Sequence, residues 1–203
     1  PNKTKFTMKK YTIYVLLAVV SIAIISCSKD KLVDDTPISD EQIFIPDVNF
    51  EKELVEQGYD SDGIINQRIL KTDAENVEKL SLYSAGINSL SGLEGFINLK
   101  RLYADANNLQ TIDVSKNVLL DTISLTSNDL TKIEGIPAAK NLVWLSLSSN
   151  LFTEFTLENS NVKNFLMDHN ELKVLDINLA PKLESAVLNI NEILELDFSN
   201  SPL

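Results

Sequence analysis

Residues 120–133 read LDTISLTSNDLTKI, and residues 142–155 read LVWLSLSSNLFTEF. Laid over each other, the two segments share apolar residues at the first, fourth, sixth, eleventh and fourteenth places and an asparagine at the ninth. The same skeleton recurs along the chain. Its first place falls at Val77, Leu99, Leu120, Leu142, Val162 and Leu183, with steps of 20 to 22 residues. The other apolar places run from Leu80, Leu82, Ile87 and Leu90 in the first copy to Ala186, Leu188, Ile193 and Leu196 in the sixth. Self-similarity at this period points to stacked units rather than one globular core. A single copy cannot bury its own apolar side and is stabilised by its neighbours.

The asparagine place holds Asn107, Asn128, Asn150, Asn170 and Asn191, with Ala85 in the first copy. A leucine cannot satisfy the backbone groups turned inward at a tight bend. A carboxamide both donates and accepts, so stacked asparagines are predicted to form a structural ladder. The first copy has a different neighbour on one side, which accounts for Ala85.

This skeleton is similar to the leucine-rich-repeat pattern over residues 77–203. The stretch 87–93 (INSLSGL) resembles an internalin repeat, and 112–117 (IDVSKN) and 196–200 (LDFSN) resemble a variant found in secreted bacterial repeat proteins. The resemblance implies a β-rich solenoid. One short strand per copy enters a parallel concave sheet, and the convex side is extended or 3₁₀. It also implies binding rather than catalysis.

Working outward, residues 43–76 read as a small helical N-terminal cap. Pro46-Asp47 opens a helix with Asp47 as its N-cap, Gly58 closes it, and Phe50 and Leu54 lie one turn apart to face the first coil. At the other end the pattern is still running at Leu203, so the array of six copies reads as truncated, with one apolar flank uncovered. Residues 1–26 combine upstream residues with a secretory signal: Met8-Lys9-Lys10, an apolar run over 11–25, then Ser26-Cys27. That run is short of the roughly 20 residues a spanning helix needs. The segment resembles a bacterial lipoprotein signal, which implies lipidation of Cys27 and anchoring in a membrane. Ser28 in place of aspartate implies an outer-membrane lipoprotein, and Ser28-Lys29-Asp30 resembles a weak surface-export signal. Residues 27–42 form an acidic, solvated tether.

Charge and composition exclude several functions. Of 18 basic and 29 acidic side chains, residues 1–26 hold four lysines and no acid, so the remainder is near −15. Such a chain repels phosphate backbones, and nucleic acid is not an expected partner. Cys27 is the only cysteine, so no intramolecular disulfide can form. No nucleotide, flavin or nucleophile-elbow motif is present, and no cofactor or enzymatic activity is expected. Asp60-Ser61-Asp62-Gly63 resembles part of an EF-hand loop. However, loop positions 1 and 12 would be Gly58 and Ile69, neither a carboxylate, so the stretch reads as an Asp-Gly turn with no metal. His169 reads as a solvated histidine at the bend before Asn170.

Strand alternation turns the residues between apolar places outward. Tyr83, Arg101, Tyr103, Asp105, Trp144, Leu166 and Asp168 are therefore the candidate binding residues, interleaved with hydroxyls such as Ser124, Ser146 and Ser148. Aromatics with an arginine have the composition of interface hot spots, and aromatics beside small hydroxyls also suit a sugar. The expected ligand is a protein or a glycan. The alternative is a structural spacer presenting a C-terminal domain. On this reading Ser124→Ala, pointing outward, is expected to be neutral within about 0.5 kcal/mol.

Overall fold

A computed structural model describes residues 41–196 and 199–200. Cys27, the signal and nearly all of the tether lie outside the described residues. The chain enters through β1 (Gln42–Phe44), the helix α1 (Val48–Glu56), β2 (Arg68–Leu70) and the short helix α2 (Lys71–Glu75), with β1 antiparallel to β2. Asp47 caps α1 as the sequence predicts: its Oδ1 accepts the Asn49 and Phe50 N–H groups. Its Oδ2 accepts the N–H groups of Asn88 at 2.8 Å and Ser89 at 3.0 Å, pinning the cap to the first coil. Phe50 and Leu54 are fully buried, and the Phe50 ring meets Phe96 at 6.0 Å.

Each coil then begins with one strand. β3 (Lys79–Ser81), β4 (Arg101–Tyr103), β6 (Thr122–Ser124), β8 (Trp144–Ser146), β10 (Asn164–Leu166) and β12 (Ser185–Val187) form a six-stranded parallel sheet in chain order. Equivalent repeat places pair directly, Leu102 with Ile123 and Ile123 with Leu145. β5 (Thr111–Asp113), β7 (Lys132–Glu134), β9 (Glu154–Thr156) and β11 (Val174–Asp176) lie across the coils from this sheet. The fold is a β-solenoid of 20- to 22-residue coils with a small helical cap, as expected. Its apolar places from Val77 to Leu183 form one continuous core, with Ile133 and Phe155 partly buried against it, and it loosens at the sixth coil, where Ala186, Leu188, Ile193 and Leu196 are all only partly buried.

The asparagine ladder stitches neighbouring coils. Asn128 donates through Nδ2 to Leu125 O of its own coil at 3.1 Å and to Ala104 O of the preceding coil at 2.9 Å, while its Oδ1 accepts Leu109 N–H at 3.1 Å. Asn150 repeats this with Leu147 O, Leu125 O and Leu130 N–H. Asn170 and Asn191 continue it one and two coils on. Asn107, at the start, accepts two N–H groups, those of Ala85 and Ile87. The residue preceding the ladder position is left-handed in every coil: Ser84, Ala106, Ser127, Ser149, His169 and Ile190, with φ between 53° and 58°. Left-handed backbone is costly for residues other than glycine. The amide, which receives from or donates to both sides of the bend, holds it there.

Two further asparagines reveal an alternation that the repeat pattern does not announce. Asn117, fully buried, donates from coil two to Leu93 O and Phe96 O of coil one. Asn159 does the same from coil four to Ile136 O and Ala139 O of coil three. Both acceptor pairs bracket 3₁₀ turns, Leu93–Gly95 and Ile136–Ala138. Two other coil boundaries use strand ladders instead: β5 pairs with β7 between coils two and three, and β9 with β11 between coils four and five. At the first of these Gly135 lies so close to coil two that an added Cβ would sit 2.2 Å from Ser115 N. Where the ladder is missing, between coils three and four, a cleft of about 580 Å³ opens, lined by Phe152, Phe155, Lys132 and Glu154 among others.

Candidate functional site

The concave sheet gathers most of the predicted binding residues. Lys79 and Arg101 are direct partners in β3 and β4, and Lys79 Nζ sits 5.4 Å from the centroid of the Tyr103 ring. Tyr103 is thereby held half-buried, whereas Tyr83, just beyond β3, is 73% exposed. Trp144, in β8, is 39% exposed. Leu166, in β10, is half-buried and pairs with Ser146, whereas Asn164 is the direct partner of Trp144.

Asp105 and Asp168 are on the same side but are not available as loose charges. Asp105 Oδ1 accepts Ser124 Oγ–H at 2.6 Å and Thr126 N–H at 2.7 Å. Asp168 accepts from Ser148 Oγ and, through Oδ2, pairs with His169 Nδ1 at 2.7 Å. Burial alone would raise the Asp168 carboxyl, but the hydrogen bonds from Ser148 and His169 outweigh it and hold it below the ordinary value. The residues Ser148, Asp168 and His169 are those of a hydrolase triad in the wrong order. The carboxylate stands between hydroxyl and imidazole, so the two do not form the nucleophile–base contact that activates a serine.

Two expectations need correction. Ser146 and Ser148 face outward but are buried, because alternation sets which way a side chain points and not how tall its neighbours are. Ser146 Oγ also shares a hydrogen bond with Thr126 Oγ1 at 2.8 Å. Ser124 is not a passive surface serine, since it donates to a carboxylate. A hydrogen bond to a charged group contributes about 1.5–3 kcal/mol, so neutrality of Ser124→Ala no longer follows.

The cap blunts the open edge of this sheet. Tyr59 donates its hydroxyl to Lys79 O and Gln57 its amide to Ser81 O, both at 2.9 Å. These two carbonyls belong to β3, the outer strand, whose exposed row would otherwise attract other chains. The Asp-Gly turn forms as expected, with Gly63 at φ +67 and Ile64 N–H on Asp62 Oδ1 at 2.7 Å. Its first aspartate is unusual: Asp60 is 4% exposed, and burial, together with the facing Asp62, pushes it up to about 6. Glu51 of α1, fully buried, is raised for the same leading reason. Sequence reasoning missed Glu51, because an acid on a nine-residue surface helix reads as solvated. Asp113 shows the opposite case, lowered by donation from the Ser115 backbone and hydroxyl.

Among the described residues no helix is long and apolar enough to cross a membrane. No protein-family model matches the sequence, and comparison with curated proteins returns no match. Solved structures do match. The functional domain of InlJ from Listeria monocytogenes, which includes a cysteine ladder, aligns with a TM-score of 0.50 at 18% identity, over 78% of this chain and 45% of that one. An internalin, InlF, from Listeria monocytogenes aligns with a TM-score of 0.50 at 14% identity, over 75% of this chain and 59% of that one. The chain thus spans about half the length of the structures it matches. At these identities the likeness is one of architecture: the chain folds as a leucine-rich-repeat solenoid of the internalin kind.

Proposed function

We propose that the concave sheet is a recognition surface for a protein ligand and that the protein presents it from the cell envelope through lipid on Cys27. One observation carries the recognition reading. Tyr83 and Trp144 are exposed on a sheet whose backbone is fixed by the ladder, with Arg101 between them in coil order. Large rigid aromatics and an arginine on a preorganised scaffold are the groups that carry most interface energy, and little ordering entropy is lost when they dock. The internalin-like architecture of the neighbours supports the same reading at the level of fold. A glycan is the second ligand class this face suits, through the same aromatics.

The lipobox-like Ser26-Cys27 after a basic, apolar leader supports the anchor and the boundary between residues 26 and 27, and Ser28 favours the outer membrane. Catalysis has no support in the concave face, where the only serine–aspartate–histidine grouping lacks a nucleophile–base contact.

The test is comparative. The wild-type chain and a Tyr83→Ala/Trp144→Ala variant, matched for circular dichroism, are immobilised and probed with surface proteins labelled on intact host or neighbouring cells and with a glycan array. The proposal expects ligands retained by the wild type to fall at least tenfold on the variant. Equal retention would remove the concave face from the argument, and signal on the glycan array alone would change the ligand class.

A further inference from the structure

Three buried side-chain oxygens in the N-terminal cap have no hydrogen-bond partner: Glu51 Oε2, Asp60 Oδ2 and Asn66 Oδ1. They come from α1, from the start of the turn and from its end. Glu51 is fully buried, and its other oxygen accepts the N–H groups of Asn66 at 2.7 Å and Arg68 at 3.0 Å, so the carboxylate is aimed from the helix at the end of the turn. Asp60 spends its Oδ1 on a long contact, 3.4 Å, with Asp62 N–H. Asp62 is held by Ile64 N–H and by Asn66 Nδ2 at 3.1 Å, which fixes the orientation of that amide. All three orphaned atoms are acceptors. Buried acceptors left without a donor are strongly unfavourable, carboxylates most of all.

Two buried carboxylates that repel each other, together with an amide oxygen, all short of donors, are satisfied by a cation. We propose that Glu51, Asp60 and Asn66 bind a calcium ion that ties the turn after α1 to the helix. Among the described residues no three His, Cys, Asp or Glu side chains group as a metal centre. The side-chain donors are therefore two carboxylates and an amide carbonyl, and backbone carbonyls and water complete the shell. Calcium accepts such mixed, irregular oxygen sets of about six to eight ligands, whereas magnesium demands a near-ideal octahedron and zinc favours nitrogen and sulfur. Glu51 supplies from another element the carboxylate that the turn itself lacks at Gly58 and Ile69. Because Tyr59 and Gln57 of the same segment hold the β3 edge, the ion would also steady the N-terminal rim of the concave sheet.

The full chain, stripped with a chelator, is melted with and without 5 mM calcium or magnesium chloride, and terbium emission sensitised by Tyr59 is titrated and competed with calcium. The expected results are a rise of about 5 °C with calcium and less with magnesium, and terbium emission that calcium displaces. Glu51→Gln and Asp60→Asn each remove a buried charge. They should melt no lower than wild type in chelator and should weaken calcium binding at least tenfold. Absence of any calcium-dependent rise or terbium signal in the wild type would overturn the proposal. So would a calcium response of undiminished size in both variants.

Discussion

Asn128→Ala tests how the solenoid is held together, and its cost can be worked from the contacts. The amide is 7% exposed. Truncation removes two donated bonds, to Leu125 O and Ala104 O, a longer third one to Thr126 O at 3.4 Å, and one accepted bond, from Leu109 N–H. The two carbonyls are not abandoned. Leu125 O keeps Asn150 at 2.9 Å and Ala104 O keeps Asn107 at 3.1 Å, since each rung is shared by two amides. Only Leu109 N–H is left without its partner. An orphaned buried donor costs about 1–3 kcal/mol and each of the two shorter donated bonds about 0.5–1.5 kcal/mol, so the sum is about 2–6 kcal/mol. Asp129→Ala, next along the chain and exposed, is the control and should stay within about 0.5 kcal/mol. Sharing has a sharper consequence. In the double variant Asn128→Ala/Asn150→Ala, Leu125 O loses both amides. The cycle should therefore show destabilisation exceeding additivity by about 1 kcal/mol. Urea unfolding followed by Trp144 fluorescence and circular dichroism gives all four values. Strict additivity, or a single-variant cost equal to that of Asp129→Ala, would refute the shared-rung reasoning.

Other expectations follow from the same structure. Ser124→Ala should cost about 1.5–3 kcal/mol through its bond to Asp105, measured by the same melts, and Asp105→Asn should largely abolish the difference. Gly135→Ala should destabilise by more than about 2 kcal/mol, because φ is +88 and the new Cβ meets Ser115 backbone. Gly63→Ala, at φ +67 with nothing within 4 Å, should cost only about 1 kcal/mol by thermal melting. The Asp168 carboxyl lies below its unfolded value, so its contribution is fully present above the unfolded value near 3.8 and is lost as pH falls through the lower folded value. The stability difference between wild type and Asp168→Asn should accordingly shrink only below about pH 4. Cys27→Ser should abolish fatty-acid labelling and release the protein from membranes; persistence in the high-salt membrane fraction would count against the anchor.

The coils and their ladder are legible in the sequence because a two-state alphabet suffices: apolar at five places, asparagine at one, repeated every 20 to 22 residues. The cap helix is legible for the same kind of reason, with Asp47 and Gly58 at its ends. Asn117 and Asn159 are not, because they stand 42 residues apart in segments of unequal length, IDVSKN and FTLEN. The burial of Ser146 and Glu51 is not legible either. Alternation and helical phase say which way a side chain points, whereas burial depends on what a distant part of the chain lays over it. On the concave face the placement of Tyr83, Arg101 and Trp144 follows from register alone. The capture of Asp105 and Asp168 by serines one coil away does not, since it requires the height of each neighbour.

Over coils one to four, the alternation of asparagine brackets and strand ladders makes two coils, not one, the interchangeable brick. Coils one and three carry the 3₁₀ turn, coils two and four the asparagine that grips it, and the ladders join one such couple to the next. Excising a couple leaves every surviving junction with a partner of the right kind. Excising coil two alone would confront two turns with no asparagine, and excising coil three alone two asparagines with no turn. Gains and losses of length, in a laboratory array or in a lineage, should accordingly come in steps of about 43 residues.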